Sequence, residues 1–270
     1  MRAPHRIESR DNRRLVEARK VRDGRIPGLI FVEGKRLAAE ALTSGLVVER
    51  CITTDPPADQ RMIEECSIRG IETYYLDQKL FRTVADTDAP QDILLIARRP
   101  RSELPHIVER LSIAVPPVVI FLSKINNPSN LGAIIRTAEA AGAAGVICSR
   151  GSADPFSPKA LRGSMGSAFR LPIVTGMTTE DLAKSAGDHD LIMTATTADA
   201  ESSYLDIDWT KPRILLFGPE AHGLDEFELG VSESRISIPM AGRVESLNLA
   251  VSAGIILFEA RRQCEVSAGR

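Results

Sequence analysis

The chain has 270 residues, 43% hydrophobic and 26% charged, with a formal net charge of −2. This is the make-up of a soluble globular protein with one large core or two modest ones, and not of a uniformly basic nucleic-acid binder. No apolar run approaches the ~20 residues that span a bilayer, and the polar start lacks the apolar segment of a secretory signal. Glu8, Asp11, Glu17 and Asp23 interrupt the arginine-rich start, against a mitochondrial presequence. Cys51, Cys66, Cys148 and Cys264 show no C-x-x-C spacing and no nearby histidine pair. They read as free thiols in a reducing compartment, with no metal site. The expectation is a cytoplasmic protein with neither a membrane nor a metal among its partners.

Arg2, Arg6, Arg10, Arg13, Arg14, Arg19, Lys20, Arg22 and Arg25 crowd the first stretch. Such a cluster is either a solvated helix face or an arm contacting phosphates, which gives affinity without sequence choice. Leu15, Ala18 and Val21 predict a thin apolar face on a helix over 13–21. A strand at 29–32 then runs through Glu33-Gly34-Lys35 into a helix over 36–43. Strands over 47–53, 71–76 and 93–97 alternate with helices over 60–69 and 78–84. These elements form an α/β unit over 1–98. The proline-bearing segment 99–117 reads as a linker with a short helix over 106–112, leaving a second domain over 118–270.

Val118–Leu122 is a continuous apolar strand of the kind buried on both faces of a parallel sheet. After a turn at 126–129, Ser129 or Asn130 is expected to cap a helix with apolar Leu131, Ile134, Ile135 and Ala138. Arg136 lies off that face. It is either a solvated arginine or a cation placed for phosphate or ribose. Further strands are expected over 144–148, 170–174, 190–195 and 213–217, with Lys159 and Arg162 on a helix between them. Thr194–Thr197 is small and hydroxylated at a strand end, where open α/β sheets hold ligands. Gly218–Leu224 is a glycine-bounded loop that lets the backbone approach a ligand closely. It is neither G-x-G-x-x-G nor a Walker loop, which argues against ordinary dinucleotide or nucleoside-triphosphate binding and so against a nicotinamide oxidoreductase. Ile236–Ala260 reads as a strand end, a polar loop and a helix starting at Ser246, its expected N-cap. A strand, a tight loop and a capped helix make a pocket for a polar ligand.

Three motifs stand in order: Asn130-x-Gly132-x-x-x-Arg136, Gly218-x-Glu220-x-x-Gly223-Leu224, and Ile238-Pro239-Met240 with Ser246-Leu247-Asn248. Together they closely resemble the SpoU/TrmH family of RNA ribose 2′-O-methyltransferases, of the SPOUT class, over about 118–262. Phe31–Leu42, FVEGKRLAAEAL, is similar to the substrate-binding domain of many members. The resemblance implies an α/β fold. Its C-terminal domain has a mostly parallel sheet flanked by helices and tied in a trefoil knot, beside a smaller N-terminal α/β substrate-binding domain.

The same resemblance implies S-adenosylmethionine as cofactor, held by Gly218, Ile238 and Leu247, with Thr194, Ala195 and Met240 lining the pocket. It points to Arg136 as the residue acting on the ribose hydroxyl, with Asn130, Glu220, Ser246 and Asn248 around it. A guanidinium is almost never deprotonated in a protein, so a phosphate clamp that stabilises the developing alkoxide stands beside the role of general base. RNA would be met by Arg13, Arg14, Lys35, Arg36 and Arg162. The N-terminal domain points to 23S-type ribosomal RNA before tRNA, and family members are usually homodimers through the knotted domain. A non-catalytic RNA-binding or ribosome-assembly factor on the same fold is the alternative of a different class. Many members have glycine where this chain has Ala221, a residue that fits only at negative φ. His222 follows, a residue type suited to acid–base work, but the sequence shows no partner for it.

Overall fold

The computed structural model describes residues 5–57, 59–242, 244 and 246–269. Backbone packing divides the chain into two units, Met1–Pro100 with Phe156–Arg170, and Arg101–Pro155 with Leu171–Arg270.

In chain order the first unit has β1 (His5–Arg6), α1 (Arg13–Arg22), β2 (Leu29–Glu33), α2 (Lys35–Thr43) and β3 (Val48–Thr54). Then come α3 (Gln60–Ile68), β4 (Glu72–Leu76), α4 (Gln78–Arg82) and β5 (Ile93–Arg98). The sheet order is β1-β4-β3-β5-β2, with β5 antiparallel to both of its neighbours. Leu15, Ala18 and Val21 of α1 pack into a core with Phe31, Ile52, Leu76, Phe81 and Leu94. This is the thin apolar face that the helical spacing predicts. Asp59 and Asp77 cap α3 and α4 by accepting from the Met62 and Leu80 amides, which fixes where those helices begin.

The second unit begins with α5 (Leu104–Leu111), β6 (Val118–Leu122), α6 (Pro128–Ala141) and β7 (Gly145–Ser149). The next helix, α7 (Pro158–Ser164), packs with the first unit. The chain then gives β8 (Ile173–Met177), α8 (Thr179–Asp188), β9 (Ile192–Thr196), β10 (Ser202–Ser203) and β11 (Arg213–Phe217). It ends with α9 (Glu226–Gly230), β12 (Ser234–Ser237) and α10 (Leu249–Ser267). Among the described residues the strands form a parallel sheet of order β10-β12-β9-β11-β6-β7-β8. Every residue of β6, β7 and β11 is buried. That is why their sequences are continuous runs rather than alternations. Helix α10 packs along α6, and no helix among the described residues is long and apolar enough to cross a membrane.

Two expected helix starts are corrected. The cap of α6 is Asn127, whose Oδ1 accepts from the Ser129 amide at 2.9 Å. Pro128, needing no amide partner, takes the first helical position and draws the start forward. Asn130 therefore lies within the first turn, with its side-chain amide left over for other bonds. The cap of α10 is Asn248 rather than Ser246.

Arg213, at the start of β11, is only 3% exposed. It donates to Thr194 Oγ1 at 2.9 Å and to the Asp208 carbonyl at 2.6 Å, and its guanidinium lies 5.0 Å from the ring centroid of buried Trp209. Burial pushes its pKa down from the ordinary arginine value. The delocalised, planar cation keeps its charge there by donating to carbonyl and hydroxyl oxygens.

Gly142 ends α6 at φ +86°, and a methyl group there would overlap the Val115 carbonyl oxygen. Gly142→Ala is expected to cost at least about 2 kcal/mol, from left-handed strain plus this overlap. A shift in the urea midpoint without a change in slope would show it.

Candidate active site

The C-terminal ends of β9, β11 and β12 and the start of α10 enclose a cavity of about 350 Å³. Gly218, Ile238, Met240, Ser246 and Leu247 line it, with Thr196, Thr197, Phe217 and Ile256. This volume lies in the usual range for small-molecule sites, about 300–1,000 Å³. Its place beyond the carboxyl ends of parallel strands is where open sheets hold ligands.

Gly218 has to be glycine. A methyl there would overlap the backbone of Gly223 and Leu224, so the loop Gly218–Leu224 doubles back on itself within van der Waals contact. The loop is closed by bonds from the His222 and Gly223 amides to the Pro219 carbonyl, at 3.3 and 2.9 Å. Ala221 does not have positive φ, so alanine is accommodated without strain. His222 and Asp199 also border the cavity.

At the mouth, Glu220 Oε1 gathers three donors: Asn130 Nδ2 at 2.9 Å, Asn248 Nδ2 at 3.1 Å and the Leu249 amide at 3.3 Å. Asn248 Nδ2 also lies 3.3 Å from Asn130 Oδ1, and Asn248 Oδ1 caps α10 by accepting from the Ala250 amide at 3.0 Å. Both amides are thereby oriented. A carboxylate at the N-terminus of a long helix is favoured by the helix dipole. The three motifs, far apart in sequence, meet in this network.

Arg136 is not part of it. It lies farther along α6, exposed and outside the cavity lining, and makes no hydrogen bond or ion pair among the described residues. Ser246 borders the cavity but caps nothing. Thr194 and Ala195 lie inside β9, fully buried, and the cavity wall is instead Thr196 and Thr197. The expected lip of the strand is two residues early: the Thr194 hydroxyl is taken by Ser234 Oγ at 2.9 Å and by Arg213. Ser237 and Ser252 also line the cavity and went unnoticed in the sequence. Their only signal was adjacency to the third motif.

The five arginines and lysines expected to meet RNA divide into two groups. Arg14 donates to Tyr74 Oη at 2.8 Å and pairs with Glu72 at 3.4 Å, and Arg162 pairs with Asp86 at 2.7 Å. Arg13, Lys35 and Arg36 are exposed and make no ion pair among the described residues. Of the other basic residues near the start, Arg2 lies outside the described residues. Arg6 pairs with Asp55 and Arg22 with Asp23.

Asp225 ties the site to its surroundings. It follows the glycine loop, caps α9 by accepting from the Glu228 amide at 2.9 Å, and pairs with Lys124 Nζ at 3.1 Å. The Glu228 amide, helped by Lys124 and opposed by burial, holds the Asp225 carboxyl below the usual carboxylate range. A carboxylate depressed in the fold adds stability above its unfolded pKa of about 3.9 and loses it as pH falls through the folded value. Asp225→Asn is therefore expected to flatten the fall in melting temperature on acidification below about pH 4, while lowering the temperature near neutrality. Melts across pH 2–7 check this.

A profile of the SpoU rRNA Methylase family matches residues 117–258, and one of the MRM3-like substrate binding domain matches residues 12–95. The chain is 29% identical over 260 residues to the 23S rRNA (guanosine(2553)-2′-O)-methyltransferase RlmP of Bacillus subtilis, covering 94% of this chain and 98% of the relative. The crystal structure of an AdoMet-bound rRNA methyltransferase from Sinorhizobium meliloti superposes with a TM-score of 0.80 at 32% identity, over 95% of this chain and 97% of the other. The SpoU methyltransferase AviRb from Streptomyces viridochromogenes, in complex with AdoMet, gives 0.82 at 26% identity, over 95% and 100%. With the three motifs assembled around one cavity and the family profile covering more than half of its length, the chain belongs to the SpoU rRNA methylase family.

Proposed function

We infer that this protein is an S-adenosylmethionine-dependent enzyme methylating a ribose 2′-hydroxyl of ribosomal RNA. The observation that carries the reading is the convergence of Asn130, Glu220 and Asn248 at the mouth of a cavity of ligand size. The cavity fits the cofactor chemically: Phe217, Ile238, Met240 and Leu247 suit an adenine, and the carboxylate of Asp199 suits a cationic ligand. When bound, S-adenosylmethionine supplies an electrophilic methyl group on a sulfonium.

The chain's own residues do the rest. Glu220 fixes the two asparagine amides, which orient the ribose. Arg136, exposed and without an ion pair among the described residues, suits a phosphate clamp that also lowers the cost of charge developing on the 2′-oxygen. The reading includes a homodimer, to which α10 offers half-exposed Val251 and Phe258, and a cytoplasmic location. RNA phosphates would be met by Arg13, Lys35 and Arg36. Arg14 and Arg162 would contribute mainly through the folds they hold.

The test is methyl transfer from labelled S-adenosylmethionine to deproteinised bacterial rRNA and tRNA, followed by nucleoside mass spectrometry. A methyl on ribose in rRNA is expected. A methyl on a base, or on tRNA alone, would overturn the acceptor. Cofactor binding without transfer to free RNA or assembled subunits would favour the non-catalytic alternative. Leu247→Arg is expected to weaken cofactor binding by at least about a hundredfold, since it replaces an apolar lining residue with a long charged side chain that fills the cavity. Calorimetry reads this directly, and unchanged affinity would sink the assigned cavity.

A further inference from the structure

The first unit has a cavity of its own, about 280 Å³, bordered by Glu33, Arg36, Leu37, Ala89, Gln91 and Met165. Its volume is small for a ligand site and suits a single flat ring system. Leu37, Ala89 and Met165 give it an apolar lining, and a methionine thioether packs well against an aromatic ring.

The walls are held in place by their own bonds. Glu33, 5% exposed at the end of β2, accepts from the Asp86 amide at 2.6 Å and from the Thr87 hydroxyl. Gln91 Oε1 accepts from the Lys35 amide at 3.0 Å, and this leaves Gln91 Nε2 without a partner among the described residues. Arg162, also in the lining, is occupied by Asp86. Arg36 is the lining cation with no acidic partner among the described residues, and Lys35 stands next to it, exposed. The Arg36 and Leu37 amides, in the first turn of α2, have neither an intrahelical acceptor nor a capping side chain.

An apolar slot of base size, an amide donor at its edge and a free guanidinium at its rim match one chemical class. We propose that this cavity holds a single unstacked nucleotide of the RNA, base inward, with its phosphate on Arg36 and Lys35. Single-stranded RNA is read in this way, by splayed bases seated in pockets and hydrogen-bonded on their edges. The proposal rests on the reading of the protein as an RNA-acting enzyme and adds a second point of grip, away from the reacting ribose. The exposed Asp88 in the neighbouring loop opposes the phosphate, so the base, more than charge, has to supply the affinity.

The experiment uses the full chain and a fluorescent rRNA hairpin with an unpaired loop, its affinity read by anisotropy at several salt concentrations. Arg36→Glu is expected to weaken binding about tenfold or more and to reduce the salt dependence by about one phosphate contact. Ala89→Phe, at an exposed position that fills the slot, is expected to weaken binding about tenfold with the salt dependence unchanged. A hairpin with abasic loop residues should show the same loss, and should not be weakened further by Ala89→Phe. Cofactor affinity, measured by calorimetry, should stay unchanged in both variants. Wild-type affinity in Ala89→Phe, or for the abasic hairpin, would overturn the nucleotide pocket while leaving the enzyme reading intact. No binding of RNA by the unaltered protein would overturn both.

Discussion

Replacing Arg136 with alanine is expected to lower methyl transfer by roughly 10²–10³-fold, the effect of removing one cation from a developing oxyanion. Cofactor affinity should stay within about twofold, because Arg136 is outside the cavity lining and bonded to nothing among the described residues. The loss should fall on kcat with KM for RNA rising less, the mark of an interaction made chiefly in the transition state. Single-turnover rates and calorimetry separate the two, and joint loss of transfer and cofactor binding would mean a folding role instead. The position of Arg136 also makes a sharper test. If a dimer presents it to the partner's cavity, mixing Arg136→Ala with Leu247→Arg should restore roughly a quarter of wild-type activity, from one intact site in each mixed dimer. If each chain serves its own cavity, the mixture stays inactive.

Gly218→Ala is the second large effect. Its added methyl group meets backbone, which cannot rotate away as a side chain can. The neighbouring Leu224 is anchored in the core with Val119, Phe121 and Leu216, so the loop cannot open without pulling that side chain out. A stability loss of about 1–3 kcal/mol and a fall in cofactor affinity of at least about tenfold are expected. Gly223→Ala is the control: φ is +66° there, but nothing lies near the added methyl. Its cost should be strain alone, about 1 kcal/mol. The ranking, Gly218→Ala worse than Gly223→Ala, is the outcome to check by thermal melts and calorimetry.

Much of this was legible from local pattern. The buried strands β6 and β11 announce themselves as apolar runs, α1 and α6 by helical spacing, and the glycine loop by its composition. What escaped was decided by tertiary bonds or by margins of one or two residues. Thr194 looks like a pocket hydroxyl until Arg213 and Ser234 are seen to occupy it. Arg14 and Arg162 look like free cations until Glu72 and Asp86, 58 and 76 positions away, are brought to them. The pair Asp225 and Glu228 carries a capping-box signature for α9. That helix is five residues long and too short to show an apolar period. The two-residue strands β1 and β10 have no period at all. The meeting of Asn130, Glu220 and Asn248 was expected only through family resemblance, since nothing in the spacing says that α6 and α10 start side by side.

The late position of α10 has a consequence for biosynthesis. Leu249, Ser252 and Ile256 form one wall of the cavity proposed for the cofactor, and Asn248 completes the clasp around Glu220. Every other part of the site is translated before them. A nascent chain that has emerged only through β12 has the sheet but no closed cavity in the second unit. Catalytic competence thus arrives last, when α10 docks on α6. The first unit, whose own sheet is complete by β5, can meanwhile fold as translation proceeds.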